Sequence, residues 1–309
     1  MIGLILRRLA HAVTVVFGVS VLVFVITRMV GDPARAMLPL SATDEQRAQY
    51  ERTLGLDQPI VEQFKDFAGG VLQFDLGRSL WQNRPAIDII AEALPRTLIL
   101  VTAGVTLALI LSVVFGTIAA LKPGSLIDRA VVGLSVLGLS APQFWMGLML
   151  VILLGVTFPI FPTSGSGTPA HLVLPAITMA LPQTGRLSMM VRSSMLESLG
   201  SDYMKTLELK GLPTWRRVIV HGWRNAAPPV VTIGAWEYVQ GLAGYAVVVE
   251  TVFAWPGMGY TALQAIENQD LTLLSALVLV TAVLVVLINM IVDVGYRWLD
   301  PRTEVGGRT

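Results

Sequence analysis

Six long runs of mostly apolar residues decide what this chain can become. A bilayer core about 30 Å thick is crossed by roughly 20 helical residues, and each run meets that length. They lie at Leu9 to Thr27 and at residues 97–121, 130–158, 171–191, 228–253 and 271–296. Composition agrees, because 54% hydrophobic against 14% charged residues is too apolar for a water-soluble globule of 309 residues. The expected fold class is therefore an all-α integral membrane protein with six transmembrane helices. Arg7 and Arg8 before an apolar run resemble a secretory signal, but the run is too long and lacks a small-x-small cleavage pattern before Gly31-Asp32-Pro33. It is read as retained.

Six crossings put both termini on one side, and the distribution of basic residues selects which side. Short loops rich in Lys and Arg stay in the cytoplasm. Arg7 and Arg8, Lys122 and Arg129, seven Lys/Arg within 186–227, and Arg297, Arg302 and Arg308 all fall on one face. Segments 159–170 and 254–270 on the other face contain none. Both termini are thus expected in the cytoplasm.

Between the first two runs, residues 31–96 form an extracytoplasmic insertion with helical signals. Thr43 and Gln46 have the spacing of a capping box, opening a polar helix to Leu54 that Gly55 would end. A second stretch from Ile60 to Phe74 is amphipathic, with Val61, Phe64, Phe67 and Val71 on one face and Glu62, Lys65 and Asp66 on the other. It suits either a cap on the bundle or a docking surface for a soluble partner. The chain therefore divides into residues 1–30, the insertion 31–96, and a core 97–309 containing a cytoplasmic loop at 194–227.

Pro142 in the third run and Pro175 and Pro182 in the fourth are expected to break their backbone ladders locally. Charges inside the runs are few: Arg186 and Arg192, Glu237 and Glu250, and Asp293. A charge facing lipid at the midplane costs about 2.5–3.5 kcal/mol on an insertion scale, so these should face protein or water. Glu237, with Tyr238 and Gln240, is a candidate lining of a polar passage, or else makes a structural hydrogen bond to a neighbouring helix. Gly234, Gly241 and Gly244 share one side of the fifth run and permit close helix approach.

The loop between the fourth and fifth runs is the most informative segment. Ser201 or Asp202 can cap a short helix through Leu209, and Gly211 followed by Pro213 stops it. A short surface helix joining two spans could rest on headgroups or serve as a lever for a soluble partner.

The series Arg192-Ser193-Ser194-Met195-Leu196-Glu197, Asp202-Tyr203, Lys205-Thr206, Lys210-Gly211-Leu212, Arg216-Arg217-Val218, His221 and Arg224-Asn225 resembles the coupling loop of ABC importer permeases. More narrowly, the chain resembles the first permease of dipeptide and oligopeptide importers. Further agreement lies at Gly31-Asp32-Pro33, Leu54-Gly55-Leu56-Asp57-Gln58-Pro59, Asp75-Leu76-Gly77-Arg78-Ser79, Leu94-Pro95-Arg96-Thr97, Glu250 to Gly259, and Asp300-Pro301-Arg302. Leu207, where a small residue is usual, and Gly222-Trp223, where Ala-Leu is usual, depart from the pattern.

The resemblance implies a type I ABC importer permease fold in the bacterial cytoplasmic (inner) membrane. It implies a second homologous permease, two cytoplasmic ABC ATPase subunits or domains and an extracytoplasmic peptide-binding protein as partners. ATP and Mg would be held by the ATPases, with no cofactor on this chain. Gly200, Asp202, Tyr203, Lys205, Thr206 and Gly211, in and beside a 202–211 coupling helix, would contact the ATPase. Glu237, Gln240, Glu250, Phe253, Trp255, Pro256 and Gly257 are the candidates for the pathway and its gate.

Other functions find little in the residues. Cysteine is absent, which removes disulfides and thiolate chemistry. Net charge of +1 argues against nucleic acid. The histidines lack metal-ligand spacing. Ser164 and Ser166 with His171 form the one cluster suggestive of a nucleophile, in a turn-rich loop. No Gly-Lys dipeptide occurs, so a phosphate-cradling loop is missing. A secondary transporter or channel for a small polar solute is the alternative, with Glu237 as its interior carboxylate.

Overall fold

The computed structural model describes residues 2–30, 43, 45, 49, 52 and 57–299. The Thr43/Gln46 helix through Leu54, and the motifs at Gly31-Asp32-Pro33, Leu54-Gly55-Leu56 and Asp300-Pro301-Arg302, fall wholly or in part outside them. The described residues are helical with no strands, as expected; the one bridge pairs Arg78 with Pro85. They divide into two compact units, one of residues 1–96 and 256–290, the other of residues 97–255 and 291–309.

In the first unit, α1 (Ile2–Val30) and α2 (Ile60–Leu72) meet through phenylalanines. Phe64 packs edge-on against Phe17 and Phe24, with ring centroids 6.0 and 5.3 Å apart, and Phe67 lies 5.7 Å from Phe24. The apolar face of α2 thus docks on α1, as the cap reading expects. The helix ends earlier than expected, since Phe74 takes a positive φ of 61°.

The Asp75-Leu76-Gly77-Arg78-Ser79 motif follows, and its residues have evident physical causes. Gly77 has φ +79°, and a Cβ there would lie 2.7 Å from Thr272 Cγ2, so only glycine fits. Ser79 Oγ donates to buried Asp270 Oδ2 at 2.5 Å, and Trp81 N–H donates to the same oxygen at 3.2 Å. Asp270 Oδ1 accepts from Leu273 N–H at 3.0 Å, which caps the start of α12 (Leu271–Leu299). Ala86, Ile89, Ile90 and Ala93 at the start of α3 (Ala86–Leu121) share a core with Ala265 of α11 (Met258–Glu267) and Leu273 and Leu277 of α12. The second expected span therefore belongs to a helix that begins eleven residues early, inside the stretch assigned to the insertion.

The second unit contains α4 (Leu126–Ser140), α5 (Gln143–Leu150) with a π segment Val151–Thr157, and α6 (Pro169–Gly200). It continues through α7 (Asp202–Leu209), α8 (Thr214–Arg216), a π segment Arg217–Gly222, α9 (Trp223–Gln240), a second π segment Gly241–Tyr245, and α10 (Ala246–Val252). Ser125 Oγ accepts from Asp128 N–H and caps α4.

Pro142 does more than kink the third run: α4 and α5 are bent by 105° at the two-residue break that contains it. Pro175 and Pro182 lie inside α6, which continues through both, so each removes one backbone donor without ending the helix. Neighbouring helices pack closely against α6 and its neighbour α3. A Cβ at Gly185 would lie 2.6 Å from the Ser135 carbonyl of α4, and one at Gly116 of α3 would lie 2.6 Å from Val191 Cβ. Gly234 and Gly241 likewise approach Leu109 and Val101, whereas Gly244 has open space beside it. The second π segment shifts the register at that point, which removes Gly244 from the close-packed side.

By length and composition, three described helices can cross a membrane, at Ala10–Thr27, Ala86–Leu121 and Leu271–Val292, or four counting the bent pair α4 and α5. The fourth and fifth expected runs fold as α6 and α9–α10. Their polar residues, several of them buried, lower their hydropathy below that of a lipid-facing span.

Candidate functional site

The segment 194–227 is almost entirely helical, as the end of α6, all of α7 and α8, a π segment and the first turn of α9. Its central helix spans Asp202–Leu209, starting where the sequence placed it and ending two residues short of the expected 202–211 coupling helix, at the stop formed by Gly211. Ser201 stands at the N-cap but does not cap with its side chain; its Oγ instead donates to the Ser198 carbonyl at 2.7 Å.

The C-terminus of α7 is closed by two backbone bonds, Leu212 N–H to the Leu207 carbonyl at 3.2 Å and Gly211 N–H to the Glu208 carbonyl at 2.8 Å. With Gly211 at φ +72°, this is a Schellman ending. Met204 is the buried anchor of the helix. Leu209 is 88% and Trp215 62% exposed, and Asp202, Lys205, Thr206 and Lys210 share this open surface. An exposed leucine and tryptophan among lysines form a surface suited to a partner.

Beneath that surface, α7 is tied to the start of the next helix. Tyr203 Oη donates to the His221 carbonyl at 2.7 Å and accepts from Asn225 Nδ2 at 3.0 Å. Ser198 Oγ donates to the Gly222 carbonyl at 3.1 Å, and Arg217 pairs with Glu208 at 2.9 Å. Val191, Met195, Val218, Ala226 and Val230 form the apolar floor.

Farther along α6, Arg192 makes a bidentate pair with Asp128 at the start of α4. Glu237 of α9 is fully buried, and its Oε1 lies 3.1 Å from Arg186 Nε of α6. Gln183 and Ser188, on the same helix as Arg186, are also buried. Tyr238 and Thr102 hydroxyls are 3.0 Å apart, and Gln240 is half-buried. Arg186 thus stands on the neighbouring helix at ion-pair distance, but neither carboxylate oxygen of Glu237 has a hydrogen-bond partner among the described residues, so the structural hydrogen bond expected as one of its two roles is not formed.

The segment Glu250 to Gly259 is a packed turn. Glu250 is fully buried and accepts from Thr97 Oγ1 at 2.6 Å, joining two sequence motifs within the second unit. Trp255 N–H donates to the Glu250 carbonyl at 2.8 Å, and Gly165 N–H to the Phe253 carbonyl at 2.8 Å. Phe253 and Trp255 are buried, and Ala254 between them has φ +45°. In the first unit, the Pro256 carbonyl accepts from Arg96, and the Gly257 carbonyl accepts from both N–H and Oγ1 of Thr261. His171 bonds Thr168 Oγ1 through Nδ1 at 2.8 Å, so its recorded partner is a threonine rather than Ser164 or Ser166.

The sequence reading missed Arg186 as the partner of Glu237, Asp128 as the partner of Arg192, and Asp270 as a cap. Asp270 did carry a signal, standing directly before an apolar helical run.

Comparison with known proteins follows the same lines. Residues 112–305 match the family model described as binding-protein-dependent transport system inner membrane component, and residues 1–101 match its N-terminal companion model. The oligopeptide transport system permease protein AppB of Bacillus subtilis (strain 168) is 35% identical over 98% of this chain and 100% of its own length. The dipeptide transport system permease protein DppB of Escherichia coli (strain K12) is 34% identical over 98% of each. A chain from inward-facing structures of the MetNI methionine ABC transporter superposes with TM-score 0.59 at 17% identity, covering 69% of this chain and 96% of that one.

Proposed function

Because the chain belongs to the family of inner membrane components of binding-protein-dependent transport systems, we propose that it is a membrane-spanning permease subunit of an ATP-driven importer of dipeptides or oligopeptides. Its near full-length similarity to AppB and DppB supports the substrate class. The chain itself carries out no covalent chemistry. It crosses the membrane six times with both termini in the cytoplasm, and pairs with a second, homologous permease to enclose the passage. Two cytoplasmic ATPase subunits or domains hold ATP and Mg, and an extracytoplasmic binding protein delivers the peptide.

One observation carries the reading: α7 is a short helix closed at its C-terminus, with Leu209 exposed there, in the segment that links α6 to α9. A partner gripping that helix moves α6 and α9 together. Closure of the ATPases, driven by ATP, becomes a change of access in the passage. In this account Gly200, Asp202, Tyr203, Lys205, Thr206 and Gly211 meet the ATPase. Glu237, Gln240 and the Glu250 to Gly257 segment serve the passage and its gate.

The test is Gly211→Trp in vesicles holding the whole importer. ATP hydrolysis without peptide uptake supports the reading, and normal uptake overturns it. A secondary transporter, by contrast, would take up solute from vesicles lacking the ATPases.

A further inference from the structure

We infer that Tyr203 clamps α7, and Ser198 the end of α6, to the widened turn Arg217–Gly222, and that Tyr203 is the positioning residue through which movement of α7 reaches α9. This rests on the coupling role proposed above for α7, and goes beyond it by naming the atoms that carry the load.

A π turn widens the backbone and disturbs the regular ladder, so its carbonyls are open to outside donors. Here two consecutive carbonyls, those of His221 and Gly222, each receive a side-chain hydroxyl from a different helix. Ser198 reaches one from the last turn of α6, and Tyr203 reaches the other from the first turn of α7. Asn225, in the first turn of α9, donates back to the Tyr203 hydroxyl. The Tyr203 oxygen is therefore bonded both to the π turn and to the helix beyond it. At the other end of α7, Glu208 pairs with Arg217, which opens the same π segment.

The covalent route from α7 to α8 is by contrast a four-residue link through Gly211, whose surroundings are open. Such a link transmits a pull poorly. The side-chain bonds span the gap directly, and α7 is held at both ends to the segment 217–225. Met204 fills the space beneath, leaving Leu209 and Lys205 facing outward. A push on the outer face is delivered through the hydroxyl of Tyr203 to the base of α9, while Ser198 keeps α6 in step.

The experiment compares Tyr203→Phe, Ser198→Ala and Gly211→Trp in vesicles containing the complete importer, reading ATP hydrolysed per peptide imported. Phenylalanine keeps the ring and removes only the hydroxyl, whose two bonds both run to segment 217–225. We expect Tyr203→Phe, which loses two hydrogen bonds, to raise that ratio at least about two- to tenfold, the worth of a single bond expressed as a ratio, with Ser198→Ala, which loses one, smaller and the double variant largest. A parallel fall of hydrolysis and uptake at constant ratio means a merely structural bond and overturns the clamp. An unchanged ratio in the double variant, with Gly211→Trp still uncoupled, overturns the clamp and leaves the role of α7 standing. Normal coupling in Gly211→Trp overturns both.

Discussion

Arg192 and Asp128 face each other as a two-pronged pair across 64 residues of sequence, with Nε–Oδ1 at 2.5 Å and Nη2–Oδ2 at 2.8 Å. Asp128 also accepts from Gly124 N–H at 2.8 Å while its own N–H is held by Ser125. One carboxylate therefore organises the turn before α4 and fastens it to α6. Replacing Arg192 by Met leaves that carboxylate 4% exposed and without its cation. The expected loss is about 1–3 kcal/mol in the solubilised protein, read by thermal unfolding. Asp128→Asn in the same background should recover part of it, and strict additivity of the two changes would refute the pairing.

The buried pair of Arg186 and Glu237 behaves asymmetrically. Removing one member of a buried ion pair strands the other, at about 3–5 kcal/mol for full burial. Arg186 is 38% exposed, so the lower end applies. Arg186→Gln should destabilise more than the double change with Glu237→Gln. Equal stability of the single and double variants would mean that Glu237 does not depend on Arg186. If Glu237 also serves the passage, Glu237→Gln alters uptake beyond what its stability loss accounts for.

Glycines give a paired prediction. Gly185→Ala forces a methyl to within 2.6 Å of the Ser135 carbonyl and should separate α4 from α6, lowering expression and melting temperature sharply. Gly244→Ala meets nothing within 4 Å, and should be neutral or slightly stabilising. Similar melting temperatures for the two variants would contradict the packing.

Lys205→Cys provides a unique thiol, since the native chain has no cysteine. An impermeant maleimide should label it only from the cytoplasmic side in oriented vesicles. Labelling from outside alone would invert the proposed topology.

The sequence revealed local features well and distant pairings poorly. The bounds of α7 were legible to within two residues because Gly211 and Pro213 fix a helix end by backbone geometry alone. The phenylalanine face of α2 followed from periodicity. The partners of Glu237, Arg192 and Glu250 were hidden, because each is supplied by another helix and nothing local marks the choice. Proline was read in part: the chain breaks at Pro142, where α4 and α5 are bent by 105°, while α6 continues through Pro175 and Pro182. Nothing local to these prolines distinguishes a break from a continued helix.

The loosened turn at Gly241–Tyr245 carries a consequence for everything beyond it. Each residue of an ordinary α-helix rotates the next side chain by about 100°, so deleting a single residue from this turn would swing the rest of the rod by that angle. Glu250 would leave Thr97 for another quarter of the bundle, and the buried turn at Phe253 and Trp255 would lose its seat. The slack stretch therefore works as a phase adjuster, letting one continuous rod address different neighbours above and below it.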